Sequence, residues 1–131
     1  MAIYKALPFV RWARKEKVDD LSLCTAVQEM KNGLYDADLG GGLVKKRVAR
    51  LGQGKRSSFR TLIATNKEDR WFFLFGFAKN ERSNIDKDEE KALKALSKEM
   101  LSYTPEALEQ AKQNKVLIEV ICNAEDKISN S

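Results

Sequence analysis

Histidine is absent from all 131 residues. That removes the one side chain whose ordinary pKa lies near neutrality. It excludes Ser–His, Cys–His and paired-histidine nuclease mechanisms. Cysteine is scarce as well, with Cys24 and Cys122 alone. A zinc site would need four ligands drawn from two thiols and carboxylates, so neither a metal nor another cofactor is expected. Two isolated cysteines in an intracellular chain are read as two reduced thiols. Long apolar runs are missing: the longest, from Trp71 to Ala78, falls far short of the ~20 residues of a spanning helix and suits a buried strand. The first twenty residues carry Pro8, Arg11 and Arg14 with no apolar core or cleavage site, unlike a signal peptide. A cytoplasmic protein without a membrane partner is the expectation.

What is present is a core and a concentrated positive charge. Hydrophobic residues make up 43% of the chain, enough to exclude global disorder. Net charge is +5, yet between Leu43 and Arg82 eleven cations face only Glu68, Asp69 and Glu81. That stretch has an excess of eight and leaves the remainder net acidic. A field gathered in one stretch favours a polyanion, usually nucleic acid, over a solvated basic surface.

The hydrophobic pattern predicts an α+β chain. Residues 2–6 suit a first strand, and Pro8 fits the first turn of a helix whose stripe is Phe9, Val10, Trp12 and Ala13. Asp19 or Asp20 can cap a second helix built on Leu23, Val27, Met30 and Leu34, stopping near Asn32-Gly33. Three consecutive glycines, 40–42, mark 35–42 as a loop. It lacks the Gly-Lys-Ser/Thr and following helix of a phosphate-binding loop, so a connector is the preferred reading. Strands follow near 43–50, 59–65 and 71–78, joined by turns at 52–58 and 66–69 too short for crossover helices, so this part of the sheet is antiparallel. The third strand, apolar on both faces, is central. Acids at 86–90 open a third helix, and Thr104-Pro105 opens a fourth. Residues 116–121 form a last strand, and 123–131 a frayed tail.

Two basic clusters bracket the sheet. The first is Lys45, Lys46, Arg47 and Arg50, continuing through Lys55 and Arg56 to Arg60. The second is Lys79-Asn80-Glu81-Arg82, at the end of the apolar strand. RNA can be cut without histidine or metal if its 2′-hydroxyl attacks the adjacent phosphorus. Arginine forks would then neutralise the phosphoryl oxygens, and such stabilisation is often the largest catalytic contribution. A lysine serves as base only where neighbouring cations disfavour its charged form. Lys46 and Lys45, amid Arg47 and Arg50, are the candidates, with Glu81 a rival more simply read as a partner of Arg82 or Lys79. Alternation leaves open which face of 43–50 matters. Arg60 shares a face with Leu62 and Ala64. Phe59, set among Arg56, Ser57, Ser58 and Arg60, offers a stacking surface for a base. The other phenylalanines of 72–77, with Trp12 and Trp71, read as core.

Phe59-Arg60 entering a strand and Lys79-Asn80-Glu81-Arg82-Ser83-Asn84-Ile85 leaving one resemble the RelE/HigB toxins of type II toxin–antitoxin systems. The stretch 36–50 resembles a phage- and plasmid-associated branch. The resemblance spans roughly residues 3–103. It implies one toxin domain over 1–122, with an antiparallel sheet of about four to five strands, two N-terminal helices and C-terminal helices. It also implies metal-independent cleavage of mRNA on the ribosome and a cognate antitoxin, expected to be a helix-turn-helix protein of the HigA kind. By matched position Arg60 would stabilise the transition state, and Lys45, Lys46, Arg47 and Arg50 would include the family's basic pair, which makes Lys46, Arg60 and Arg82 the catalytic candidates. Lys45, Arg47, Arg50, Lys55, Arg56, Phe59, Lys79 and Asn80 would bind RNA. Asn80 stands where the family carries a catalytic arginine and Asp86 near its tyrosine, so Arg82 would substitute. Two alternatives share the scaffold: a non-catalytic nucleic-acid-binding regulator, and a gyrase poison of the ParE type.

Overall fold

The computed structural model describes residues 2–49 and 58–122. Strand β1 (Ala2–Ala6) runs directly into helix α1 (Leu7–Glu16), where Pro8 occupies the first turn and needs no amide partner. Lys17 closes α1 in the left-handed conformation. Helix α2 (Asp20–Lys31) is capped by the Asp19 carboxylate, which accepts from the Ser22 amide. Strands β2 (Ala37–Gly40), β3 (Leu43–Ala49), β4 (Ser58–Thr65) and β5 (Arg70–Ala78) follow. Helices α3 (Lys87–Leu101) and α4 (Pro105–Gln113) lead to β6 (Leu117–Glu119). Among the described residues no helix is long and apolar enough to cross a membrane.

The α+β class holds, with six strands in the order β2-β3-β4-β5-β1-β6. The β3-β4-β5 meander is antiparallel, as its short turns require. The parallel pairing of β1 with β5, and the placement of β6 beside β1, follow from no local pattern. The region expected to be a loop is instead a hairpin. Residues 37–40 pair with β3, and Gly41 and Gly42 turn the chain at φ +66° and +84°. The glycines supply the turn, while Ala37 and Asp38 are free to extend. The last strand is shorter than 116–121, and Leu34, placed on the buried stripe of α2, lies beyond the helix and is exposed.

Strand alternation divides the core into two layers. Val44, Val48, Phe59, Ile63 and Phe73 pack with Phe9, Leu23 and Val27 under α1 and α2. Leu43, Leu62, Ala64, Phe72 and Phe77 pack with Ile85, Met100 and the side of α3. A register shift opposite Leu62/Ile63 places both Leu74 and Phe75 on the α3 face.

The two cysteines correct the sequence expectation. Cys24 of α2 and Cys122 form a disulfide across 98 residues. Local sequence cannot reveal such a pairing, because only the sheet order brings the segment after β6 back to α2. Asp20 reinforces it: one oxygen accepts from Lys5 Nζ at 2.8 Å and the other from the Ile121 amide at 3.2 Å.

Gly76 yields a packing test. A Cβ there would stand 2.6 Å from Trp12 Cε3 and 2.7 Å from Cη2, closer than real contacts allow. The ring is wedged between Phe9 and Phe59 and has little room to retreat. Gly76→Ala is expected to destabilise the chain by about 1–3 kcal/mol through overpacking, read as a lowered urea midpoint with unchanged slope. An unshifted midpoint would show that the Trp12 contact is not tight.

Candidate functional site

Alternation on β3 answers the question that the sequence left open. Val44, Lys46 and Val48 face α2, whereas Leu43, Lys45 and Arg47 face the α3 side. Lys46 is buried, and its Nζ lies 2.9 Å from Glu29 of α2. Lys46 therefore does not share a pocket with Arg60 and Arg82, contrary to the expected grouping. The sheet separates them.

A different cationic group assembles on the α3 face. Arg47 stands directly opposite Arg60 across β3 and β4, and Phe77 of β5 is the next partner of Arg60. Lys45 lies two residues from Arg47, and its Nζ donates to Asn84 Oδ1 at 3.4 Å. The Arg82 guanidinium covers two rings, 5.6 Å from the centroid of Phe77 and 6.0 Å from that of Phe75. Lys45, Arg47, Arg60 and Arg82 thus line one end of one face, beside the first turn of α3.

The charges on this face are only partly neutralised. Like charges directly opposite in a sheet repel. Asp36 offsets the Arg47–Arg60 pair, its Oδ2 lying 3.5 Å from Arg60 Nε. The Arg60 side chain is 18% exposed, and its Nη1 is buried with no hydrogen-bond partner among the described residues. A buried donor left unmade is costly and invites an acceptor.

Glu89 holds Arg82 by two hydrogen bonds, one of 2.9 Å from Nη1 to Oε2 and one from Nη2 to Oε1. The same carboxylate accepts from the Asp86 amide, while Asp86 accepts from the Glu89 amide, which completes a capping box on α3. The Arg82 bonds hold the Glu89 carboxyl below its ordinary value, with a further contribution from the Asp86 amide. A lowered folded value means that this contribution to stability is complete above the ordinary carboxylate range. It is lost as pH falls through the lowered value. Helix α3 is therefore expected to fray at its first turn only in acid below that range, with Glu89 the reporter in an NMR titration. Glu89→Gln should remove the transition, and a transition surviving in that variant would assign it elsewhere.

The remaining candidates are dispersed. Lys79 and Asn80 are exposed in the turn after β5. Phe59 offers no stacking surface. Its ring is buried at 3% exposure and meets Trp12 edge-on at 5.1 Å, because its position alternates into the α1/α2 layer. Arg50, Lys55 and Arg56, the turn at 52–58 except its final serine, and the tail from 123 lie outside the described residues. Sequence reasoning missed Phe75, read as core but only partly buried beneath Arg82. It also missed Asn84 and Glu89. An aromatic two positions before another on an apolar strand gave no sign of the register shift that exposes it.

A family model described as the RelE toxin of the RelE / RelB toxin–antitoxin system matches residues 1–120. The chain belongs to the RelE toxin family. Membership of this toxin family implies an antitoxin as partner. No curated protein matches the chain. The matched span contains every residue of the cationic face and ends one residue past β6.

Proposed function

We propose that this toxin is an endoribonuclease that cuts mRNA on the ribosome by attack of the RNA's own 2′-hydroxyl, without a metal. The observation that carries the reading is the Arg47–Arg60 pair held face to face with Lys45 and Arg82 beside it. Asp36 offsets part of this crowding, and a further anion would relieve the rest. A phosphodiester on this face would bring two non-bridging oxygens to the Arg60 and Arg47 forks. The Arg60 side chain is partly exposed, and its buried, unpartnered Nη1 would turn toward those oxygens as their charge grows in the transition state.

The proton roles pass from Lys46 to groups on the productive face. Lys45, whose Nζ is held near Asn84, is the base in this scheme. Arg82 stabilises the departing 5′-oxygen once Glu89 yields it. Phe75, partly buried with its ring centroid 6.0 Å from the Arg82 guanidinium, would take a base against its ring. Lys79 and Asn80, exposed in the turn after β5, would guide the backbone as it leaves this face. A HigA-like antitoxin would silence the toxin by covering this face.

Mapping of mRNA 5′ ends after induced expression tests the reading. Cuts confined to translated regions, lost when translation is blocked before induction, support it. Normal growth with intact mRNA at high soluble expression would leave the non-catalytic regulator. Altered DNA supercoiling with intact mRNA would favour the gyrase poison.

A further inference from the structure

The Arg82 fork already holds an anion. Both of its terminal nitrogens donate to Glu89, Nη1 to Oε2 at 2.9 Å and Nη2 to Oε1. A guanidinium holds two oxygens of a phosphate in the same bidentate way. The pair is not sealed from water, with side chains 36% and 31% exposed. Each member also has partners that survive without the other. Arg82 keeps its Nε bond of 3.0 Å to the Asn84 carbonyl and its place over Phe75 and Phe77. Glu89 keeps the Asp86 amide, 2.9 Å from Oε1, within the capping box of α3. A partly exposed ion pair contributes little net stability, so both sides can leave this contact at small cost.

We propose that Glu89 is an internal competitor for the RNA phosphate, an autoinhibitory latch that α3 places on the Arg82 fork and that the substrate must displace. The inference deepens the nuclease reading: it rests on RNA occupying this face, but not on the RNA being cut. The latch selects by how the phosphate arrives. A lone phosphate at Arg82 competes with a carboxylate tethered beside the fork at high effective concentration. A phosphate whose neighbour along the strand is already docked at Arg47 and Arg60 is tethered too, and competes on more equal terms. Short anions are disfavoured and a continuous strand is admitted. A proton does not open the latch near neutrality, because the Arg82 bonds hold the Glu89 carboxyl below its ordinary value. A competing anion must open it. Glu90, the next residue of α3, is directed to Lys94 at 3.0 Å instead, and so supplies a control of equal charge.

The probe is a fluorescein-labelled single-stranded RNA of 2′-O-methyl nucleotides, which can bind but cannot attack its own phosphate, titrated into the full chain under oxidising conditions. Glu89→Gln keeps the capping box, which glutamine also completes. It should bind the probe about fivefold more tightly, the factor by which a mostly closed latch lowers apparent affinity. Glu90→Gln removes the same charge away from the fork and should gain less than about twofold, because screening weakens the distant charge. In an Arg82→Gln background, Glu89→Gln should gain nothing, since no fork remains to be freed. In the wild type, the NMR signal of the Glu89 carboxyl carbon should shift on saturation with the probe as the guanidinium leaves it, a readout that stands even where a variant fails to fold. Four results overturn the latch and leave the nuclease reading intact: equal affinity of wild type and Glu89→Gln, an equal gain from Glu90→Gln, a gain that persists without Arg82, or a Glu89 carbon unmoved by bound RNA. No binding of the probe by wild type or any folded variant would overturn both.

Discussion

Arg60→Ala is expected to reduce RNA cleavage by about 10²–10³-fold, the usual cost of removing one preorganised donor from a developing oxyanion. The size follows from its setting. Arg60 is largely buried on the strand, fixed through Nε by Asp36, and left with an unpartnered Nη1. The anchor at Nε confines the response to a turn of the fork, which would bring the buried Nη1 to the developing charge. Arg60→Lys keeps the charge but not the planar fork, and should recover only part of the loss. The measurement is the single-turnover rate on ribosome-bound message, alongside growth arrest after induction. The fold should survive, because removing Arg60 also relieves its repulsion of Arg47. A folded Arg60→Ala chain cutting at the wild-type rate would remove the nuclease reading of this face.

Breaking the Cys24–Cys122 disulfide should have the largest effect on stability. The bond closes a loop across 98 residues. Loss of that constraint typically costs about 2–4 kcal/mol, with an entropic ceiling of roughly 4.7 kcal/mol for a loop near this length. Cys24→Ser and Cys122→Ser should each lower the urea midpoint, and the double variant should match either alone, since a single bond is at stake. Wild type in reductant should join them. The loss should appear first as faster hydrogen exchange in β6. That strand has three residues, and among the described residues it pairs with β1 alone. Coincident melting of oxidised and reduced wild type would show that the bond does not constrain the chain.

Much of the local structure was legible in the chain. Pro8 and Thr104-Pro105 announced helix starts, as did Asp19 and Asp86, and in each case the reason is a local demand of the helix terminus. The β3-β4-β5 meander followed from turn length. The glycine run misled because it marks the turn of a hairpin as readily as a loop, and the three-residue β6 is too short to set its own limits. Candidate residues were legible by type but not by side. Lys45, Lys46 and Arg47 are adjacent cations on a strand with no cleanly apolar face. Only packing against α2 on one side and α3 on the other assigns them.

By itself, the amino-acid sequence determined the class of the fold, most element boundaries, and the concentration of positive charge between Leu43 and Arg82, because these depend on composition and on periods of a few residues. The tertiary structure alone decided that Lys46 turns away from Arg60, that Arg82 is held by Glu89 over Phe75 and Phe77, and that Cys24 meets Cys122. The reason is physical. A strand sends neighbouring side chains to opposite faces, and which face is which depends on helices and strands distant in the chain that close over them.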